Sequence, residues 1–469
     1  MDVDHNADQP LAQADVWDPP DTSSAVLILP LNHSLTYHAS TIQWQPGVLR
    51  IVLPMHTERL EPWAESVTNE KDRLALVSPG PGSVLYQSAA ETHDSPAAAT
   101  GRLHHLLPTA LDLSGMVLVA LEFLALPRSS AQQESGPGCA VLALHLTFPA
   151  CDDESSSSLA TSLERLRQLS YWNTETMSER GTEDSRMGGL CDFLATALPP
   201  GWEPPNRGTR LGVCTLLMQR DAAKDGRFQE EDWMYLAISS RVVSPASISL
   251  HRRRSLPVLR ISKSWRLLVL RDGVSVMATS DEFTRSLQAY FHSVYLDAVL
   301  LARLQALRAT ELAALVPSPE LTDVFKLREL EGAVLDFRRR IWWSYLTGKR
   351  TSPGDTILNH CQAELRLAEQ VDSLAANAAD AARLSASLHH EALTKAQDLT
   401  RAAQEQTNVT IQILTVLLAP LALSYAAFTV AGSPSVTLFW MATATGFALT
   451  LVAALVLRTV RKRQHRDPQ

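Results

Sequence analysis

The sequence lacks the short motifs by which common enzyme classes are recognised. It contains no P-loop, no GxGxxG fingerprint, no GxSxG elbow and no CxxC pair. Its glycine-containing stretch 78–83 is not followed by the lysine and helix of a phosphate-binding loop, so it predicts a turn. We therefore expect a protein that is not an enzyme and that holds no resident cofactor.

Cysteine and positive charge are also scarce. Five cysteines in 469 residues, odd in number and irregularly spaced, favour reduced thiols over a disulfide framework. The net charge of −8 gives no reason to expect a nucleic-acid polymer as a partner. One dense basic run, 251–254, is most simply a solvated loop or strand end, and a site for a phosphate-bearing ligand is the alternative. Residues 1–24 are predicted to be disordered, and their acidic start predicts no signal peptide.

Charge is absent from two apolar runs, 409–430 and 436–457, each 22 residues long without Asp, Glu, Lys or Arg. Because about 20 residues cross the ~30 Å hydrocarbon core, each run predicts a transmembrane helix. Only residues 431–435 separate the runs, which predicts a two-helix hairpin with a short outer loop. Five basic residues in the tail 458–469 indicate a cytoplasmic tail by the positive-inside rule. The sequence thus predicts a cell-membrane protein with two spans in the lipid bilayer and both termini in the cytoplasm.

Residues 25–281 predict an α+β cytoplasmic domain. Short apolar runs bounded by turn residues predict strands at 25–31, 47–54, 116–126, 140–148, 211–218, 233–238 and 264–270. The pair Asp272 and Gly273 between apolar runs predicts a hairpin turn. A helix is predicted at 158–169, and long loops are predicted at 128–137, 151–157 and 173–189.

Beyond residue 281 the pattern becomes helical. Residues 282–353 predict an antiparallel helical pair, with helices at 282–316 and 320–349 that Pro317 and Pro319 separate. An aromatic cluster at the end of the second helix is most simply explained by packing between the two helices.

A long helix follows in the segment 354–430. No glycine or proline lies between Gly354 and Pro420, although the chain holds 20 Gly and 26 Pro. One continuous helix is therefore predicted from 356 to 430, about 110 Å long, which enters the first span directly. Apolar residues spaced three and four apart predict a coiled-coil-like seam that packs on neighbours. These residues are Leu367, Val371, Leu374, Ala378, Ala381, Leu388, Ala392 and Leu399.

The start of the first span resembles a segment of the CorA family of divalent-cation channels. The run NVTIQILT at 408–415 is similar to the family's N-x-x-M-K-V-L-T, with Asn408, Leu414 and Thr415 in matching places. The Pro-Leu at Pro420 and the layout over 282–457 are also similar to the family. The resemblance implies a homo-oligomer, a pentamer in the family, that conducts metal cations such as magnesium under control of its cytoplasmic domain. A divalent cation would then be the transported or the regulatory ion.

The Gly-Met-Asn selectivity motif of the family is absent. Counting from Pro420 places Thr429, Val430 and Ala431 at those positions, and the loop 431–435 carries no charge. Magnesium gives up its water shell reluctantly, and one hydroxyl with main-chain carbonyls is a poor site for it. The chain therefore resembles a divergent member, and its sequence singles out no metal ligands.

Family position makes Asn408, Ile411 and Leu414 pore-lining candidates, and Thr415 is a further candidate because a helical wheel places it on one face with Asn408 and Gln412. Apolar side chains ringed at a constriction can gate by dewetting, whereas helix–helix contact is the alternative role for the polar and small residues of this span. In the second span, Ala442 and Gly446 form a small-xxx-small pair that predicts packing against the first.

Three functions remain open from the sequence. The chain is a CorA-like ion channel or transporter gated by its cytoplasmic domain, or a non-conducting membrane-anchored sensor or scaffold. The third is a membrane effector that a small cytoplasmic ligand such as a nucleotide opens, so that ion gradients dissipate.

Overall fold

The structure is a computed structural model, and its chain divides into two compact units, Met1–Ala382 and Arg383–Gln469. It describes residues 16–20, 22–34, 39–52, 73, 76–86, 101–113, 115–126, 139–149, 159–172, 185–206, 208–223, 229–239, 255–280, 284–315, 324–347, 352–431 and 436–464. The basic run 251–254 and the predicted loops 128–137 and 151–157 lie outside these residues, as do residues 1–15 and the outer loop 432–435.

The first unit is built on one large mixed sheet. Its strands and the short pairs beside it are β1 Val16–Trp17, β2 Ser24–His33, β3 Gln45–Pro46, β4 Arg50–Ile51, β5 Gly101–Asp112, β6 Val117–Ala125, β7 Ala140–Thr147, β8 Tyr171–Trp172, β9 Trp202–Glu203, β10 Thr209–Arg210, β11 Gly212–Met218, β12 Leu259–Arg260, β13 Trp265–Leu270 and β14 Gly273–Ala278. The order across the sheet is β12-β13-β14-β11-β2-β7-β6-β5-β3, with β9 paired to the end of β2. Within that order β11 and β14 are parallel and the other neighbours are antiparallel.

Helices cover both faces of the sheet and continue beyond it. They are α1 Pro79–Leu85, α2 Leu159–Leu169, α3 Ser185–Ala197, α4 Gln219–Ala223, α5 Glu230–Ile238, α6 Thr284–Tyr290, α7 Leu296–Leu315, α8 Val324–Arg340, α9 Pro353–Glu364, α10 Leu367–Ala431 and α11 Val436–Gln464. A π-helical turn, Phe291–Tyr295, joins α6 to α7.

Alternation along the strands gives the sheet two cores. In β2, Ala25 and Leu27 face a core shared with α2, α3 and α5, whereas Val26 and Ile28 face a core shared with α6 to α9 and the start of α10. Each large aliphatic side chain buried this way contributes about 1.5–3 kcal/mol. The central strands are apolar on both sides because both faces are covered.

Most strand predictions are confirmed, and their errors have identifiable causes. The runs at 25–31, 116–126, 140–148, 211–218 and 264–270 are strands, and the hairpin at Asp272 and Gly273 joins β13 to β14. The strand predicted at 233–238 is wrong, because this run is the buried part of α5. At the start of this helix the Asp232 carboxylate accepts a hydrogen bond from the Gln229 amide at 3.2 Å. The 47–54 run supplies only β4 within the described residues, and 185–189, predicted as loop, begin α3.

Three further differences concern turns and helix ends. Stretch 78–83, predicted as a turn, forms most of α1, with Pro79 in its first turn. The helix predicted at 320–349 ends at Arg340, because the chain then turns so that the Asp355 carboxylate accepts from the amides of Leu346 and Thr347. β5 was not predicted; its polar half, His104 and His105 included, hides the period of a strand.

The predicted continuous helix from 356 to 430 is interrupted at Leu365 and Arg366. Arg366 has a φ of 52°, a left-handed conformation that ends α9 and lets α10 begin at Leu367. α10 itself runs for 65 residues, about 98 Å at 1.5 Å per residue. The predicted seam is buried at Leu367, Val371, Leu374 and Ala378 but not at its far end, where Leu399 is 73% exposed.

The break provides a direct test of this geometry. Arg366 is exposed, so its side chain contributes little, while the left-handed backbone costs a non-glycine residue roughly 1–2 kcal/mol. We expect Arg366→Gly to be neutral or stabilising and Arg366→Val to be destabilising in thermal unfolding of the purified protein. The matched control is Arg401, inside α10, where Arg401→Gly should instead lower the free energy of unfolding by about 1 kcal/mol. A stability loss in Arg366→Gly as large as that in Arg401→Gly would contradict the break.

Candidate functional site

The C-terminal unit consists of the greater part of α10 followed by α11. Within the described residues one helix is long and apolar enough to cross a membrane, over Leu367–Ala426, and only 12% of its most apolar window is buried. The core helix of a soluble protein would be mostly buried. α11 contains a shorter apolar stretch, Phe439–Val452, within a helix of 29 residues.

The two helices meet where their backbones come close. A Cβ atom placed on Gly446 would lie 3.2 Å from Cβ of Pro420 and 3.4 Å from its Cα. Ser424 and Thr443, one turn from these residues, are 2% and 7% exposed, and each hydroxyl donates to a carbonyl of its own helix. Glycine therefore lets α11 reach the proline of α10, which confirms the predicted packing at Gly446.

The pore-lining candidates share the opposite face of α10. At about 100° per residue, Asn408, Ile411, Leu414 and Thr415 all lie at least about 120° around the helix from Pro420. All four side chains are exposed. Ile411, Leu414 and Thr415 line one open groove. The groove continues along Leu418, Ala419 and Ala422. The structure thus brings these candidates together on a surface turned away from α11, and their role in a pore stays a prediction.

The positions that replace the family motif lie at the end of the same helix. Thr429 is exposed on the groove side, and its hydroxyl donates to the carbonyls of Tyr425 at 3.1 Å and Ala426 at 2.8 Å. Its proton is therefore used within the helix, and only lone pairs remain for an ion. Val430 and Ala431 form the last turn, and their side chains lie outside the described part of the chain.

A cluster of buried charges in the first unit was not found from the sequence. Arg102 donates to the carboxylates of Glu122 and Asp297, at 2.7 Å each. Arg73 lies 3.4 Å from Asp297 and 3.8 Å from Glu122, and the Tyr86 hydroxyl donates to Asp297 at 2.7 Å. The four charged side chains are at most 1% exposed.

Two histidines extend this ionic cluster through the π-helical turn. Nδ1 of His145 and Nδ1 of His292 are 3.0 Å apart, and Nε2 of His292 lies 2.9 Å from the Ser24 hydroxyl. Trp17 covers both imidazole rings edge-on. Serine, histidine and carboxylate follow one another here, and Ser24 is only 2% exposed. These contacts join β2 and β7 to the π-helical turn in the interior of the unit.

Burial and charge set the protonation of the cluster. Burial alone would raise the pKa of Glu122, but the guanidinium of Arg102, helped by His145 and Arg73, holds it well below its usual range. Burial lowers the pKa of His292 well below 6.5, so this imidazole is neutral at pH 7. Two arginines and two carboxylates then balance, which makes burial of four charges tolerable. A charged residue inside an apolar strand, as at Glu122, was the available sequence signal.

Metal ligands are not grouped in the part of the chain that the structure describes. No set of three or more His, Cys, Asp or Glu side chains there is placed to hold a metal ion. Among the described cysteines, Cys139, Cys191, Cys214 and Cys361 form no disulfide, and Cys151 lies outside the described residues.

Comparison with known proteins gives one distant likeness. No protein-family model matches this chain, and neither does any curated protein. Among solved structures it is similar to the CorA magnesium transporter from Methanocaldococcus jannaschii, at 12% identity over 55% of this chain and 94% of that one. The TM-score is 0.18. A likeness at that level carries no argument about fold or function, and the proposals below rest on the residues of this chain.

The contact between α10 and α11 can be tested at Gly446. Gly446→Leu should separate the helices, because even a Cβ atom there lies within 3.2 Å of Pro420. A pair of cysteines introduced at Thr443 and Ser424, each one turn from the contact, should cross-link readily in the otherwise unchanged protein. The same pair should cross-link much less in the Gly446→Leu protein. Gly332→Leu is the matched control, since a Cβ at Gly332 meets nothing within 4 Å. Equal cross-linking in both proteins would exclude the close contact.

The buried histidine predicts a dependence of stability on pH. Unfolding returns the pKa of His292 to about 6.5, so below this pH the unfolded chain takes up a proton that the folded chain does not. Stability should therefore fall from about pH 6.5 downward, by up to about 1.4 kcal/mol per pH unit for this group. Thermal unfolding of His292→Asn should show a shallower dependence of stability on pH below pH 6.5. The control His390→Asn, at an exposed position, should keep the pH dependence of stability of the unchanged protein. If the stability of His292→Asn followed the same pH dependence, His292 would not be the group responsible.

Proposed function

We propose that this protein is a membrane protein whose helices α10 and α11 cross the bilayer and whose copies assemble around a cation pathway. The observation that carries the proposal is the exposed apolar surface of both helices. Ile411, Leu414 and Leu418 are each more than half exposed on α10, and Trp440 and Leu449 are 65% and 71% exposed on α11. Complete burial of such a side chain is worth about 1.5–3 kcal/mol, and these side chains are only partly buried, so we propose that lipid or further copies cover this surface.

Two crossings are proposed because α11 is also long enough. Its uncharged run 436–457 precedes the basic residues at its end, and a cytoplasmic location of these charges follows the positive-inside rule. Pro420 and Gly446 are in contact. Pro420 lies about as many residues before the end of α10 as Gly446 lies after the start of α11, as in a helical hairpin. Both termini are then cytoplasmic.

The pathway is proposed to run along the groove face of α10. With α11 packed on one side of α10, the opposite side is free to face an axis shared by several copies. Asn408 offers an amide at the cytoplasmic end, Ile411 and Leu414 form an apolar ring that gates by dewetting, and the Thr415 hydroxyl donates to the Ile411 carbonyl. One helix face cannot enclose water, so a homo-oligomer is required; a pentamer is the number that the resemblance implies.

Uncharged oxygen ligands favour a cation of low selectivity. The groove face carries amide, hydroxyl and alanine groups without any basic side chain that would attract anions. It also carries no carboxylate, so strong selection for hydrated magnesium is not expected. A divalent cation is the proposed cargo or regulator and not a resident cofactor, and we propose no enzymatic activity.

Conductance separates this proposal from that of a non-conducting membrane anchor. The absence of carboxylates along the groove face favours the anchor as the second candidate. The purified full chain in liposomes, with a potassium-, sodium- or magnesium-sensitive dye inside, should pass at least one of these cations. If none permeates with or without added cytosolic small molecules, the anchor is the better description.

Asn408→Leu tests the pathway residue by residue. An added apolar ring beside Ile411 and Leu414 should lengthen the dewetted constriction and lower flux at least about tenfold, a barrier rise of about 1.4 kcal/mol. Thr445→Val removes a polar group from the exposed surface of α11, where the hydroxyl donates to the Met441 carbonyl, and should leave flux unchanged. Unchanged flux in Asn408→Leu, with normal assembly, would exclude this side chain from the pathway.

A further inference from the structure

A basic pocket of about 640 Å³ lies in the first unit, where α10 begins. Its walls come from β10 and the turn between β13 and β14, from the end of α5, from α7 and from the last residues of α9. This volume falls within the range of small-molecule sites, about 300–1,000 Å³. None of the sequence predictions involved this pocket.

Three arginines define the polar side of the pocket: Arg210, Arg271 and Arg303. The lining acids are Asp272 and Glu364, and Asp272 is already paired with Arg210 at 2.7 Å. Arginine exceeds acid, and guanidinium forks match phosphate oxygens in geometry and charge. The polar side is thus suited to an anion.

Neighbouring groups hold two of the arginines in place. Arg210 stacks over the Tyr171 ring at 5.7 Å, and its Nε and Nη2 are buried without a hydrogen-bond partner among the described residues. Arg303 donates through Nη2 to the Arg271 carbonyl at 3.0 Å. A Cβ at Gly212 would lie 3.1 Å from Nε of Arg303, so the glycine provides room for this guanidinium. Nε and Nη2 of Arg210 have almost no exposed surface, so an anion in the pocket would be held by the charge of the three guanidinium groups and not by these two donors.

Apolar residues also form part of the walls. Leu211, Leu270 and Leu365 line the pocket together with the ring of Tyr235. An ion as small as inorganic phosphate would leave these walls uncovered. The pocket therefore fits a ligand that combines phosphate with a flat or apolar part.

We infer that this pocket binds a small phosphorylated ligand with an apolar moiety, of which a nucleotide is the simplest example. Glu364 and Leu365 in its wall directly precede Arg366, whose left-handed backbone starts α10. Occupancy of the pocket would then alter the backbone geometry at Arg366 and change cation flux. This last step rests on the proposed function.

Calorimetry on the full chain in detergent tests binding, with ADP, pyrophosphate and inositol trisphosphate as probes. ADP should bind more tightly than pyrophosphate, because only ADP covers the apolar walls. Arg210→Gln and Arg303→Gln should each weaken binding about tenfold or more, as expected when one of the three positive charges of the pocket is lost. The control Arg340→Gln removes the same charge from an exposed position outside the pocket and should bind like the parent.

Each outcome decides one part of the inference. If no probe binds, or if both pocket variants bind like the parent while their thermal unfolding is normal, the site is excluded. If pyrophosphate binds as tightly as ADP, the apolar walls have no role in binding. If inositol trisphosphate binds most tightly, the ligand is a lipid-headgroup phosphate and not a nucleotide. ADP that binds without changing liposome flux would overturn only the coupling. Binding by a protein that passes no cation would overturn the proposed function and leave the site standing.

Discussion

The organisation of the chain depends on one helix, α10, which is packed in a protein core at its start and exposes apolar side chains at its end. The first turns of α10 place Leu367, Val371 and Leu374 in the core of the sheet unit, while its last turns expose residues such as Ile411 and Leu418. A helix satisfies its own backbone hydrogen bonds, so it is the element able to serve both in a protein core and in lipid. No glycine or proline lies in α10 before Pro420, so the helix continues without a break from the core to its exposed part.

The sheet unit that precedes this helix holds charges in its interior. Arg102, Glu122 and Asp297 come from two strands and a helix that are distant in sequence, and each charge is tolerable only in the presence of the others. The cluster therefore fixes the position of α7 against β5 and β6 more specifically than apolar packing does. Its charged side chains lie deep in the fold and are at most 1% exposed, unlike those of the arginine pocket.

The proposed functions divide between surfaces of different chemistry. The groove face of α10 offers amide, hydroxyl and small apolar groups to an ion path, whereas the pocket beside Arg303 offers cationic donors with leucine walls. The pocket ends at Leu365, next to the residue whose backbone interrupts the helix. If the proposed ligand binds there, it lies next to the helix break and can change the geometry at the start of α10.

The sequence by itself determined the elements whose signal is local. Uncharged apolar runs, a glycine- and proline-free stretch, and the Asp272 and Gly273 turn all follow from hydration and backbone sterics of neighbouring residues. Only the tertiary structure decided the rest: that 233–238 is a helix, that Arg366 breaks the long helix, and that the arginines at 210 and 303 share a pocket. Those outcomes depend on contacts between residues far apart in the chain, whose energies exceed local propensity and leave no periodic trace in the sequence.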